Sequence, residues 1–498
     1  MKNVFRTIAV ILLWCPLLSL DAQDFDEYKR QRREEFSSYK EKKNKEFEEY
    51  RNRINKEFSE YMRKRWIWLD GNGAVPDPRK DIPDIKPVVL PELDEVVIPE
   101  DNEIPFAEII PIPMEDPEPI IVTPIPYKSK PTEEELDFIF YGTPCSVRFD
   151  TSRKTALKGC RENAVADMWD ELSAVDYDNL LHDCNAIRER LNLCDWAYLQ
   201  LAGVVSDLIY GAGTNESVVL EAYVMNQSGF KIRLGRSAGD RLHMLIATAD
   251  DMYNRSYWTM DDTHYYLSRN EDVDGLYVFD TQFPNEQLLR LAVVTEQRIE
   301  HRMTTPRHLC SERYPDMDVR TSSNINMMKF YENYPPSFRR NNSFSQWYHY
   351  ANAPISQSVK DDIYPTIKAC IAGKTQKESA NIIINFVQTA FEYKTDDEVW
   401  GEERSFFPEE SLYYPYCDCE DRSILFSRLV RDLMGLDVVL LYYPGHLATA
   451  VCFDEQINGD YITVGNRKYL VCDPTYINAP IGMTMPGMDN SSVKVVCL

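Results

Sequence analysis

The chain has 498 residues, a formal charge of -25 and 44% hydrophobic residues, a length that allows about three domains. So acidic a composition argues against nucleic acid as the principal partner, because neutralising phosphates requires a basic surface. Twelve cysteines in a chain of this size do not describe the disulfide framework of a small secreted domain.

Residues 1–22 carry Lys2 and Arg6, then an apolar run from Thr7 to Leu20, then Asp21-Ala22-Gln23. That order is the pattern of a secretory signal peptide. The run is shorter than the ~20 apolar residues a spanning helix needs, and no other stretch approaches that length. The expectation is an exported protein, periplasmic or at the cell surface, that does not span the membrane. Bulky Trp14 before Cys15 argues against lipid attachment there. Without the signal eleven cysteines remain, an odd number, so at least one thiol stays unpaired.

Residues 24–68 repeat every eleven positions: Phe25, Phe36, Phe47 and Phe58 recur in register, each followed three residues later by Tyr28, Tyr39, Tyr50 or Tyr61. Eleven residues make three turns at 3.67 residues per turn, so the pairs hold one stripe on a charged helix and a right-handed supercoil is geometrically open. So thin a stripe stabilises a solitary helix poorly, and self-association of this arm is expected, with a solvated single helix as the alternative. Residues 70–131 then change character: fourteen of the 29 prolines lie between Ala74 and Pro131, among acids and Ile/Val. Proline removes backbone donors and fixes φ, which predicts an extended, semi-rigid acidic linker.

Ordered periodicity returns at 132–300, an α+β region, helical over most of 155–226 with strands at 230–234, 242–248 and 265–267. Gly235-Arg236-Ser237-Ala238-Gly239 matches the spacing of a nucleophile elbow, so a serine hydrolase acting through Ser237 is one reading. The helical residues before it do not supply the strands and oxyanion loop that such a fold needs. Asn270 to Gly275 resembles the start of a calcium loop, but Thr281 stands where the closing glutamate belongs, which favours a polar turn.

In the last region, 301–498, the segment Tyr416-Cys417-Asp418-Cys419-Glu420-Asp421 opens a helix. Ile424, Leu425, Leu429, Val430, Leu433 and Met434 keep helical spacing up to Gly435, and Asp418 suits the cap. Cys419 thus stands at a helix N-terminus, where the free N–H groups and the macrodipole favour thiolate. A buried-strand run from Leu436 to Tyr443 follows, then His446 at the start of a second strand, then Tyr469 to Thr475 with Asp473 at a strand end. This places Asp473 beside His446 on neighbouring strands, facing the helix tip, with sulfur as nucleophile, imidazole as base and carboxylate as orienter.

These residues carry a resemblance. Cys419-Glu420-Asp421, the helix-ending Gly435, His446 opening the next strand, and Asp473-Pro474-Thr475 on the strand after it resemble the core of the transglutaminase-like superfamily, a papain-related fold. Ala380 to Val387 and Phe391-Glu392-Tyr393 resemble the family's preceding helix and its aromatic end. The likeness covers about residues 360 to 480 and is to the exported bacterial members; Leu447-Ala448 departs from the family's frequent Ala-Trp after the histidine. The resemblance implies an α+β core of helix plus antiparallel sheet, and a thiol acyl-transfer enzyme. Peptidase or amidase action on a protein or peptide substrate, including cell-envelope material, would proceed through a thioester at Cys419. No cofactor or metal is implied, because Cys417 and Cys419 lack a second ligand pair. Hydrolysis and transamidation both stay open, as does a non-catalytic scaffold built from such modules.

A second, weaker copy is legible at 132–300. Setting Gly229 on Gly435 puts Gly213 in the place of Cys419, while His243 and Asn270 keep the 27-residue spacing of His446 and Asp473. The expectation is a related half without a nucleophile.

Overall fold

The computed structural model describes residues 49, 51–79, 82, 85–91, 100–112, 132–174, 178–279, 281, 283 and 286–498, and its backbone is mixed α+β. The signal-peptide reading of residues 1–22 and most of the 11-residue repeat fall outside the described residues. The chain divides into two units, residues 1–58 and 59–498. In the first, residues 51–58 are helical. Among the described residues no helix is long and apolar enough to cross a membrane.

The second unit carries the larger sheets. Its early segment supplies three short strands, β1 (Ile67–Asp70), β2 (Asn102–Glu103) and β3 (Glu108–Ile110). Helix α1 (Asn215–Gln227) then leads into β4 (Ile232–Arg236), β5 (Leu242–Thr248), β6 (Tyr257–Met260), β7 (Thr263–Leu267) and β8 (Gly275–Val278). Helix α2 (Cys419–Met434) leads into β9 (Val438–Tyr443), β10 (His446–Val451), β11 (Asp460–Val464), β12 (Arg467–Cys472) and β13 (Lys494–Cys497). The first sheet runs β1-β8-β4-β5-β7-β6 and the second β3-β13-β9-β10-β12-β11-β2. Each therefore sets the last of its five strands beside the first and places the hairpin of the first two in the middle; β1 forms an edge of the first sheet, and β2 and β3, from the proline-rich segment, form the two edges of the second.

Branched side chains explain why the second sheet lies at the centre of its region. Val438, Val451, Leu470 and Cys472 face α2 and the helix Gln376–Thr389, where Ile383, Phe386, Val387, Leu425, Phe426 and Leu429 meet them. The alternate residues Val439, Leu441, Ala448, Ala450 and Val471 form a separate core on the other face. Side chains alternate between faces with a period of two, so a run apolar at every position is what a sheet covered on both sides requires. Helix α2 stops at Gly435, whose φ of +67° is the left-handed conformation that glycine adopts without strain.

The proline-rich segment is more than a spacer. β2 pairs with β11 and β3 with β13, both in parallel, and Val89 bridges Ile477. Proline confines such strands to sheet edges, which is where β2 and β3 lie. All eleven described cysteines are free.

Candidate active site

The chemistry begins at the first turn of α2. Asp418 is its N-cap: its Oδ1 accepts the Asp421 N–H at 3.3 Å, and Asp421 Oδ2 accepts the Asp418 N–H at 3.4 Å, a reciprocal capping box. Asp421 Oδ1 also accepts the Phe406 N–H at 2.8 Å, tying the preceding loop to the cap. Cys419 is therefore the first helical residue, and it is fully buried.

The histidine and the acid meet on neighbouring strands. His446 opens β10 opposite Tyr443, and β10 pairs with β12, so Asp473 emerges just beyond Cys472 at the same end of the sheet. His446 Nε2 lies 2.9 Å from Asp473 Oδ2. The other carboxylate oxygen, Oδ1, accepts the Thr475 N–H at 2.9 Å, which holds the Asp-Pro-Thr turn closed. His446 Nδ1 is buried without a hydrogen-bond partner. With Nε2 committed to Asp473, Nδ1 is the nitrogen left to act as a base.

The thiol is turned elsewhere. Cys419 Sγ donates to Glu420 Oε2 at 3.1 Å and accepts the Leu447 N–H, the residue after His446; no hydrogen bond joins it to the imidazole. Ser423 Oγ donates to the Leu447 carbonyl at 2.7 Å, so α2 leans on the start of β10 at two points. The expectation of a thiol shifted toward thiolate by the helix terminus is corrected here. Burial pushes the Cys419 thiol well up, the charges of Glu420 and Asp418 add to it, and Arg79 and the Leu447 N–H only partly oppose them. The physical reason is scale: a helix terminus offers about 0.3–2 kcal/mol, whereas taking an ion fully out of water costs several.

Arg79, from the proline-rich segment, sits at the centre of the charges. Its Nη1 lies 2.6 Å from Glu403 Oε1 and is hydrogen-bonded to Glu420 Oε1, with the guanidinium 5.9 Å from the Trp347 ring. Burial drives Glu420 up, but Arg79 and hydrogen bonds from Glu403 and Cys419 outweigh it and hold that carboxyl down at about 2. Burial, then the Glu420 charge, pushes Glu403 up to about 11 and Asp418 and Asp421 well above the carboxylate range, and burial, then the Asp421 charge, does the same to Asp396. Glu420, the one carboxyl of this cluster held below its usual range, thus faces buried Arg79 among acids that burial raises. Asp396, Glu403 and Glu420 bring oxygens within 4.8 Å of one another, as do Asp418 and Glu420 with the Cys419 sulfur. Either set could hold a metal, although Arg79 already supplies positive charge between Glu403 and Glu420.

Residues that sequence reasoning missed are Arg79, Glu403 and Gln388. Gln388 Nε2 faces the carbonyls of Asp473, Tyr476 and Ala479 at 3.2, 2.7 and 3.1 Å and pins the turn that carries Asp473. Its place on the inner face of an apolar helix, beside Ile384 and Val387, was the available signal. Arg79 carried none, because one arginine among prolines and acids reads as a solvated charge.

The rival motif folds differently. Ser237 lies in the hairpin turn between antiparallel β4 and β5, with its N–H and Oγ on the Arg241 carbonyl at 2.9 and 3.3 Å. An elbow needs a strand-to-helix turn. In the first sheet His243 Nδ1 meets Glu271 Oε2 at 2.7 Å, and its Nε2 is unpartnered. The carboxylate beside this histidine is therefore Glu271, next to the Asn270 expected from spacing. The residue opening α1 is Asn215, two beyond Gly213, and its Oδ1 accepts the Leu242 N–H at 2.9 Å.

Glu410 lies behind the first turn of α2, on the helix Pro408–Tyr413. Burial raises its carboxyl against the pull of Arg404 and the Phe407 N–H, leaving it at about 7, compared with 4.5 when free. Between those values the native state holds a proton that the unfolded chain has lost, so this group's contribution to stability falls as pH rises, by at most ~1.4 kcal/mol per pH unit. Glu410→Gln is expected to flatten the decline in urea-unfolding free energy from pH 5 to 7. Equal slopes for the two proteins would remove Glu410 as its source.

No protein-family model matches the chain, and no curated protein matches it.

Proposed function

We propose that the chain is a thiol acyl-transfer enzyme of transglutaminase-like type, working as a peptidase or amidase through Cys419, His446 and Asp473. The observation that carries the reading is the buried His446–Asp473 pair at 2.9 Å, with Nδ1 left unpartnered at the strand end against which Cys419 packs. Rotation of the Cys419 side chain away from Glu420 would offer its proton to Nδ1. Sulfur then attacks an amide carbonyl, the imidazolium returns the proton to the departing amine, and a thioester forms. Water, activated by the same imidazole, or a competing amine resolves it. Asp473 holds the ring in the tautomer with hydrogen on Nε2 and stabilises its cationic form.

The matching strand order of the two sheets supports a companion reading. The region around α1 is a second copy whose helix opens at Asn215 and not at a cysteine, leaving a binding or supporting half. A non-catalytic scaffold is the other reading, favoured by the complete burial of Cys419 and its bond to Glu420. Incubation with a panel of peptide amides and glutamine peptides, followed by intact-mass analysis and peptide mapping, separates them. Acyl transfer expects an adduct on Cys419 that hydroxylamine releases, in the wild type or in Ile85→Pro, which loses the Ile85 N–H bond to the Gly445 carbonyl beside His446; adducts on no residue of either protein, or only elsewhere, end that proposal.

A further inference from the structure

The described part of the proline-rich segment from Asp77 to Leu90 runs along all three members of the candidate triad. At Cys419's neighbour, Arg79 enters between Glu403 and Glu420 and is 4% exposed. Asp77 Oδ1 accepts the Arg79 N–H at 2.8 Å and the Arg79 carbonyl accepts the Ile82 N–H at 2.8 Å, so a local turn sets the side chain's direction. At His446's neighbour, the Ile85 N–H donates to the Gly445 carbonyl at 2.9 Å, while Tyr393 Oη donates to the Ile85 carbonyl at 3.4 Å. Beyond Asp473, Ile477 donates to the Val88 carbonyl and accepts from the Leu90 N–H, both at 2.9 Å. Ile85, Val88 and Leu90 pack on Tyr476, Ala479 and Met485.

An extended strand that exchanges backbone hydrogen bonds with a site's rim while one side chain enters a pocket is how a peptide docks by strand addition. The pocket's chemistry is specific. A guanidinium taken out of water requires a carboxylate and fixed acceptors around it, and here the internal arginine has them. Cys419, His446 and Asp473 are 0%, 1% and 3% exposed, and the described residues of the segment lie against the neighbours of all three.

Resting on the acyl-transfer reading above, we infer that the Glu403–Glu420 pocket is a substrate subsite for a guanidinium or ammonium side chain, and that Arg79 fills it within the same chain as a pseudosubstrate. The enzyme would then prefer peptides bearing arginine or lysine beside the acyl carbonyl, and displacement of the strap formed by the described residues 77–79, 82 and 85–90 would switch it on.

The test uses the full mature chain and two tripeptidyl chloromethyl ketones that differ only in arginine or norleucine at the last position. Alkylation forms a carbon–sulfur bond at Cys419 and releases chloride, with the thiol proton passing to His446 and solvent, so its rate reports access and preference together. Wild type is expected to react slowly with both probes. Arg79→Ala should accelerate the arginine probe about tenfold or more and leave it about tenfold faster than norleucine. Glu420→Gln added to Arg79→Ala should bring that ratio close to one, which a merely structural role would not do. Because emptying a buried charge site can unfold a protein, Ile85→Pro provides a second route: it deletes the bond to Gly445, keeps Arg79, and should raise both rates. Labelling of Cys419 that neither variant accelerates overturns the strap while leaving acyl transfer intact. Acceleration without an arginine preference overturns the cation subsite. Failure of Cys419 to react in every variant removes the acyl-transfer reading and this inference with it.

Discussion

Cys419→Ala is expected to lower amide turnover by about 10⁴-fold or more, with the unfolding midpoint close to that of wild type. The side chain is small and fully enclosed, and its loss removes the sulfur contacts to Glu420 and the Leu447 N–H while the Asp418–Asp421 capping box that starts α2 stays in place. Stability should therefore change by about 1 kcal/mol, which separates loss of the nucleophile from loss of the fold. Cys417, two residues earlier, is also buried, and burial has pushed its thiol up to about 11. Cys417→Ala serves as the matched control and should retain turnover. Activity remaining in Cys419→Ala, or lost equally in Cys417→Ala, would sink the assignment.

The second large effect belongs to Asp473. Its two oxygens have separate tasks, Oδ2 toward His446 Nε2 and Oδ1 toward the Thr475 N–H. Asp473→Asn keeps an oxygen for the Thr475 N–H and presents an NH₂ to the imidazole. Nε2 must then accept, the ring proton moves to Nδ1, and the nitrogen needed to take the thiol proton is blocked. The expected loss in kcat is about 10⁴-fold, with the turn preserved and the protein folded. Asp473→Glu, which can still accept from Nε2, should recover part of the rate, and the acidic limb of its pH profile should move. If Asp473→Asn retained wild-type kcat, the acid would be a turn-closing residue and nothing more.

Several features of the site were legible because they are local. Asp418, Gly435 and the apolar spacing between them state where a helix starts and stops, and the structure has α2 at Cys419–Met434. The unbroken apolar run at 438–443 requires a strand covered on both faces, and the two cores on either side of β9 meet that requirement. The strand-two positions of His446 and His243 follow from the same patterning. The surroundings of His243 were less legible: the acid beside it is Glu271, one residue beyond Asn270, and the helix before it opens at Asn215, two beyond Gly213, because loop lengths before a helix and after a strand vary without disturbing the core.

Burial and partnership at the thiol were not local at all. Helix-terminus reasoning predicts a thiolate-favouring cysteine, yet the enclosed sulfur faces Glu420, and desolvation exceeds what a helix dipole supplies. The acidic cluster is spread over residues 396 to 421, and its cation comes from residue 79, 341 positions away from Glu420. A segment rich in proline is correctly barred from helices and sheet interiors, but that rule says nothing about whether its edge-strand hydrogen bonds go to water or to β11, β13 and the turn after Asp473.

What the sequence alone determined is the set of elements and the residues that open and close them: α2 beginning at Cys419, β10 beginning at His446, and an acid ending the strand beside it. Tertiary structure decided which charges meet. It brought Arg79 onto Glu420, left His446 Nδ1 without a partner, and removed the sulfur from water. The physical reason is that helices and strands are specified by patterns a few residues long, whereas the electrostatics of a buried group depend on everything that displaces its solvent, and chain order carries no record of that.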